Sequence, residues 1–351
     1  RGNIDRLIEQ ILTLKDTYSL EILVVDDDSP DGTAELIRGL AQDEPCIRLI
    51  RRIGRSGLAS AIKEGLLDAT GEIAVVMDSD GQHEPSSIRD GINLLQSTNS
   101  DLVIGSRFLQ AAQIHGLSKQ RVFGSTWANR TARSSLARSY RTLTDYMSGF
   151  FIVQVASVLP CVRAIDVNGF KFLYELLAIS KGRLKTAELP LSFQARLYGD
   201  SKLDMAIFWD FLISILHNLC FRLLPRRAIS YGIVGLSGVA VQLAATQLLT
   251  EILGFSFTNA LPIAAITAAS SNYLINNSLT FRFKRLRGLK LIEGLLKYLM
   301  VASLPVIANV GMASAYYNLI NHNSILAQLA GIVVIFFWNY VASSRFVWNT
   351  P

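Results

Sequence analysis

The chain has 351 residues, half of them apolar, and carries a formal net charge of +6. Its positive mean hydropathy is high for a soluble protein, and three cysteines without paired or metal-ligand spacing (Cys46, Cys161, Cys220) exclude a disulfide framework and a cysteine zinc site, reading instead as thiols of a reducing compartment. The excess base does not point to nucleic acid, because Lys and Arg crowd beside apolar runs, in RLLPRR (222–227) and FRFKRLRGLK (281–290), as membrane anchors do.

In chain order, Ile4, Leu7, Ile8, Ile11 and Leu12 repeat at helical spacing and predict a helix over 4–15. There follow a strand at 20–25, a helix at 31–41, a strand at 47–51, a helix at 56–69, a strand at 72–77, a helix at 86–96 and a strand at 101–105. Short, nearly continuous apolar strands between helices predict a parallel sheet covered on both faces, with ligands beyond the carboxyl ends of the strands. Two of these strands end in acid. One leads into VVDDDSPDGT (24–33), the other into VVMDSDGQHEP (75–85), and the two clusters are expected side by side at one sheet edge.

Asp78 and Asp80, with the amide of Gln82, offer hard oxygen ligands suited to Mg²⁺ or Mn²⁺, in a site that substrate phosphates normally complete. The alternative is that these acids cap the helix starting near Pro85. Strand alternation places Asp26 and Asp28 on one side and turns Asp27 away, and Ser29 and Asp31 are expected as caps of the helix at 31–41.

Residues 107–204 are less regular, with a basic helix at 119–138, a strand at 149–155, a helix at 169–181 and a strand near 184–194. Met205–Leu224 reads as a helix in the membrane interface, with a short span as the alternative. Beyond it lie uncharged runs of 23 residues after Arg227, 30 from Ile252 to Phe281 and 47 after Lys297. At about 20 residues per crossing these make four spans, near 229–250, 256–280, 295–318 and 325–345. The basic 281–290 loop is expected in the cytoplasm, and an even number of spans places the N-terminal domain there too. The second and fourth spans end alike, in NYLINNSLTF (272–281) and NYVASSRFVW (339–348), which suggests a doubled helix pair in which Phe281 corresponds to Trp348.

VVDDDSPDGT, DSDGQHEP (78–85), GSRF (105–108), SGFF (148–151) and RLYGDSK (196–202) occur in an order that resembles the family-2 inverting glycosyltransferases. Among them the chain most resembles the dolichol-phosphate mannose synthases and related polyprenyl-phosphate glycosyltransferases, and its tail resembles the GtrA-like membrane domain. The resemblance implies an α/β GT-A-type domain over 1–204, with a parallel-rich sheet, helices on both faces and a first strand, ending P-x-Y-N-E, that is missing ahead of Arg1. An amphipathic interfacial helix and linker (205–227) and an all-α four-helix transmembrane domain (228–351) complete the expected organisation.

The implied reaction moves a hexose from a sugar nucleotide to a polyprenyl phosphate at the cytoplasmic face, in a multi-pass protein of a prokaryotic plasma membrane or ER membrane. Mannose from GDP-mannose is the leading donor and UDP-glucose the alternative; a lipid-linked sugar flippase with an ancillary transferase is the rival class. Carried over by motif, Asp26, Asp28, Ser79, Arg196 and Lys202 bind the nucleotide sugar, and Asp78, Asp80 and Gln82 hold the metal and diphosphate. Arg107, Arg121 and Ser125 receive the acceptor phosphate, and Asp80, Arg107 and Arg121 are the residues the resemblance makes catalytic. An ionised phosphate needs alignment and charge neutralisation more than a general base, so none is named.

Overall fold

The computed structural model describes residues 3–54, 57–79, 86–109, 129–166, 171–191, 205–303 and 324–349. The chain divides into two compact units, Arg1–Leu219 and Cys220–Pro351.

The first unit runs α1 (Ile4–Leu12), β1 (Ile22–Asp26), α2 (Thr33–Asp43), β2 (Ile47–Arg51), α3 (Leu58–Asp68), β3 (Ile73–Val76), α4 (Ser86–Ser97), β4 (Leu102–Ser106), β5 (Phe151–Gln154), α5 (Val155–Ala164), α6 (Phe172–Ser180), β6 (Thr186–Pro190) and α7 (Met205–Leu219). β1 and β2 are parallel, in a register that sets Asp26 beside Arg51. The other four strands form a second sheet, ordered β3-β5-β4-β6. β4 and β6 are parallel, while β5 runs against both β3 and β4.

The expected parallel-rich sheet is present, with β5, from the less regular region, as its antiparallel member. The pattern cannot reveal this, because Phe151, Ile152 and Val153 are buried on both faces, and such a run reads the same in either direction. The first acid-tipped strand also lies in a different sheet from the second. Among the described residues β1 and β3 are not hydrogen-bonded neighbours; α3 packs on β1, with Gly65 against Val25, and its Ala59 and Leu66 belong to the same core cluster as Ala74 and Val76 of β3.

Alternation along the central strands sorts the core into two layers. Leu102, Ile104, Phe151 and Val153 face one side with Tyr140, Tyr174 and α6, whereas Val103, Phe150 and Ile152 face the other with Ile88, Ile92 and Leu95 of α4. Each of these large side chains contributes roughly 1.5–3 kcal/mol on burial, which makes β4 and β5 the rigid centre of the unit. The helix expected in the membrane interface gives one face to this core: Phe211 and Ile215 of α7 are buried in it, Phe211 meets Tyr174 edge-on at 5.6 Å, and Asn218 donates to the Ser135 carbonyl at 2.6 Å. Phe208 and Leu219 of the same helix are exposed.

The second unit contains α8 (Arg226–Gln247, continuing through a π-helical turn at Leu248–Ile252), α9 (Phe257–Ser278), a helical stretch at 289–303 and α10 (Ser324–Phe346). Among the described residues one helix, Arg226–Ile252, is long and apolar enough to cross a membrane by length and composition. An aromatic cluster of Tyr231, Tyr273, Phe281, Tyr298 and Trp348 forms its core.

This cluster is built on the doubling seen in the two matching tails. A shift of 67 residues carries Tyr231 to Tyr298, Tyr273 to Tyr340 and Phe281 to Trp348. The contact of Tyr231 with Tyr340 at 5.7 Å is matched by that of Tyr298 with Tyr273 at 5.6 Å, so each half makes its partner's contact in return. Corresponding residues also meet: Phe281 and Trp348 stack at 4.1 Å and 11°, and the Tyr231 hydroxyl donates to that of Tyr298 at 3.4 Å. Reciprocal contacts of this kind are those expected when two equivalent segments pack about an approximate two-fold axis. Trp348 also donates through Nε1 to Asn277 at 3.1 Å. Trp348→Ala is therefore expected to cost about 3–5 kcal/mol, read as a lower thermal midpoint of the purified protein in detergent.

Candidate functional site

The three aspartates after β1 take three different roles. Asp26, 5 % exposed, accepts hydrogen bonds from the Ser29 backbone N–H at 3.1 Å and the Ser29 hydroxyl at 2.5 Å. Asp27 receives Arg52 Nε at 2.7 Å and the Gly57 N–H at 2.8 Å, which ties the turn to the β2–α3 connection. Asp28 pairs with Arg51, whose Nε donates at 2.7 Å. Its φ of +59° places it in the left-handed region, so strand alternation stops at Asp26 and does not govern it. Asp27 does turn aside, towards Arg52, but Asp28 is aimed by a turn rather than by the strand.

Ser29 therefore braces Asp26 rather than capping α2. Asp31 takes the local role expected of it, accepting from the Thr33 N–H at 3.1 Å and hydroxyl at 2.7 Å in the first turn of α2.

The second cluster lies where β3, β4 and β6 finish and β5 begins, since Val76 and Ile104 are both paired with Phe151, and Ser106 with Pro190. Asp78 is half-buried just past β3, and the neighbouring Ser79 is exposed. Asp78 lies against Gly149: a Cβ on that glycine would sit 2.3 Å from Asp78 Oδ2. Only a residue without a side chain admits the carboxylate there.

Arg107, the first residue after β4, donates Nε at 2.7 Å and NH2 at 3.0 Å to the two oxygens of Asp145, which is completely buried. Burial works against the Arg107 charge, but the Asp145 carboxylate more than offsets it, and Asp78 adds to the effect, so the guanidinium is held above its ordinary pKa. Lys171, which precedes α6, belongs to the same group. Burial and Arg107 lower the pKa of its ammonium, while Asp78 and Asp145 act in the opposite sense.

A further carboxylate stands behind this group. Glu188 Oε1, on β6, accepts from the Thr144 N–H at 2.8 Å, the Thr144 hydroxyl at 3.0 Å and the Asp145 N–H at 3.2 Å. Thr144 also shares a 2.5 Å bond with Ser106, next to Arg107. Burial pushes the Glu188 carboxyl above its usual range, and the donors from Thr144 and Asp145 oppose that push.

Of the residues expected from sequence, Asp78 and Arg107 are thus brought into one electrostatic cluster, while Asp26 and Asp28 form another with Arg51 and Ser29. Asp80, Gln82, Arg121, Ser125, Arg196 and Lys202 lie outside the described residues. Sequence reasoning missed Asp145, Lys171, Glu188 and the role of Gly149. Asp145 and Gly149 flank or lie within the SGFF motif already singled out; Glu188 and Lys171 carry no local signal, being isolated charges on a strand and before a helix.

Chemically, a half-buried carboxylate and two half-buried cations at one sheet edge suit a ligand that is both phosphorylated and metal-bound. Among the described residues no group of three or more His, Cys, Asp or Glu is arranged to hold a metal by itself. Of the set expected from sequence to hold Mg²⁺ or Mn²⁺, Asp78 is the member among the described residues, and its carboxylate is a hard oxygen ligand.

Residues 1–159 match the family described as glycosyl transferase family 2, and residues 230–348 match the GtrA/DPMS transmembrane domain. A dolichol-phosphate mannosyltransferase of Pyrococcus furiosus is 32% identical over 355 residues, covering 100% of this chain and 97% of that protein. The Saccharomyces cerevisiae dolichol-phosphate mannosyltransferase is 33% identical over 198 residues, covering 55% of this chain and 72% of the yeast protein. Among solved structures, glucosyl-3-phosphoglycerate synthase from Mycobacterium tuberculosis aligns over 62% of this chain and 75% of its own, at 21% identity and a TM-score of 0.47.

Proposed function

Because the chain belongs to the dolichol-phosphate mannosyltransferase family within glycosyl transferase family 2, and is a membrane protein by its GtrA/DPMS domain, we propose that it transfers mannose from GDP-mannose to a dolichyl-type polyprenyl phosphate. The observation that carries this reading to the residues is the meeting of Asp78 and Arg107 around buried Asp145 at one sheet edge. A sugar diphosphate and a lipid phosphate repel one another, and a site that joins them must supply acid for a metal and base for the phosphate side by side.

Asp26 and Asp28 face the nucleoside, and Ser79, Arg196 and Lys202 complete the binding of the nucleotide sugar. Asp78, Asp80 and Gln82 hold Mg²⁺ or Mn²⁺, which when bound neutralises charge on the diphosphate. Arg107, Arg121 and Ser125 grip the acceptor phosphate and aim one oxygen at the anomeric carbon from the side opposite the leaving group. That oxygen is already ionised at neutral pH, so the protein aligns it rather than deprotonating it. Attack from the far face inverts the configuration, giving a β-linked mannosyl phosphate from an α-linked donor.

The 205–227 segment serves as interfacial helix and linker to the four spans. The basic 281–290 loop, with an even number of spans, supports a cytoplasmic transferase domain, on the side where sugar nucleotides are made.

The test is transfer by the full chain, purified in detergent, from a panel of radiolabelled sugar nucleotides to dolichyl phosphate. Labelled lipid from GDP-mannose is expected; labelled lipid from UDP-glucose alone, or none from any donor, overturns the reading. Chelation is expected to weaken GDP-mannose binding roughly tenfold, the size of a typical coupling between two ligands, with Mg²⁺ or Mn²⁺ restoring it in an equilibrium binding assay.

A further inference from the structure

The position of Arg107 is fixed from behind. Its two donors to Asp145 hold the fork of the guanidinium in one plane, but Asp145 belongs to an irregular segment between Tyr140 and β5, and such a segment needs an anchor of its own. Glu188 Oε1 supplies it, gathering three donors from two consecutive residues, Thr144 and Asp145. β6 is paired with β4 residue by residue, so Glu188, opposite Ile104, reaches back across the sheet to the strand that leads into Arg107. Ser106 closes the loop by bonding Thr144. The result is a ring of contacts, Arg107 to Asp145 to Glu188 and back through β4, in which each member is held by the next.

We infer that Glu188 is a positioning residue for acceptor binding, acting through the Thr144–Asp145 segment to set the plane and reach of the Arg107 guanidinium. The inference rests on the reading that Arg107 grips the acceptor phosphate. Its physical basis is the cost of the arrangement. A carboxylate in a partly buried position gives up hydration, and one oxygen taking three donors recovers part of it only while the segment stays in place. A bidentate guanidinium–phosphate contact is sensitive to plane as well as distance, so a shift of Asp145 is felt at the phosphate. A simple strut for the fold, by contrast, affects stability without distinguishing one substrate from the other.

The test is a double-mutant cycle on the full chain, combining Glu188→Gln with Arg107→Lys and measuring KM for dolichyl phosphate, KM for the sugar nucleotide and kcat. Glu188→Gln keeps the size but removes the charge that draws three donors, and is expected to raise the acceptor KM roughly tenfold, with donor KM within about twofold of wild type. In the Arg107→Lys background, where the fork is already lost, it is expected to add little. Unchanged acceptor KM, or effects that simply add, overturns the inference. Should Glu188→Gln fail to fold, Thr144→Val, which removes one donor to Glu188 and the bond to Ser106, is judged by the same two outcomes. The underlying reading fails separately: Arg107→Lys alone would then leave the acceptor KM unchanged.

Discussion

Arg107→Ala is expected to lower kcat/KM for the lipid phosphate by about 10²–10³-fold, the usual loss on removing one preorganised charge from a transfer site. A second consequence accompanies it. Asp145 is completely buried, and without the guanidinium its charge is left to the nearby Lys171 ammonium and to hydrogen bonds from the Met147 and Arg107 backbone N–H groups. Losing one partner of a buried pair costs about 3–5 kcal/mol; since a fifth of the Arg107 side chain is exposed, the lower end applies. Thermal unfolding and transfer rates measured on the same preparation separate the two effects. Arg107→Ala combined with Asp145→Asn removes the orphan charge, and should recover much of the stability but none of the transfer. Recovery of both would mean that Arg107 acts only to hold the fold.

Gly149→Ala should cost about 100-fold in kcat while leaving the thermal midpoint nearly unchanged. The added methyl group would stand 2.3 Å from Asp78 Oδ2 and 3.0 Å from its Cγ, well inside contact distance. The clash is with the end of a side chain at the edge of the sheet, so the cheapest relief is rotation of Asp78 and not movement of β3 or β5. A misplacement of about 1 Å in a group that orients substrate is enough for a hundredfold loss. Donor binding and its metal dependence should fall together with rate. A Gly149→Ala protein with wild-type kcat would show that Asp78 has another productive position, and would weaken its assignment to the metal and diphosphate.

The acidic turn shows how local pattern and tertiary structure divide the explanation. VVDDDSPDGT announces that a strand ends and that acid is concentrated there, because an apolar run followed by Asp, Ser, Pro and Gly has few other local solutions. Which aspartate faces where depends on Arg51, Arg52 and Gly57, whose distance in sequence hides them from periodicity. The same holds for Arg107: GSRF marks the residue, but its buried partner lies 38 residues on, in a segment whose composition says nothing of burial.

In the second unit the balance is different. The matching tails place Phe281 and Trp348 in corresponding positions from sequence alone, and the structure stacks them because residues near a two-fold axis meet their own equivalents. Sequence cannot tell whether corresponding residues lie near such an axis or far from it.

What the residues determine by themselves is the alternation of strands and helices, the acid at strand ends, the apolar runs of the tail and the order of motifs, all properties of residue types read along the chain. The tertiary structure alone decides that β5 runs against its neighbours, that β1 and β3 belong to separate sheets, that Gly149 makes room for Asp78 and that Glu188 stands behind Arg107. These depend on which buried surfaces meet after the chain has closed, and hydrophobic burial, being non-directional, rewards contact without specifying the partner.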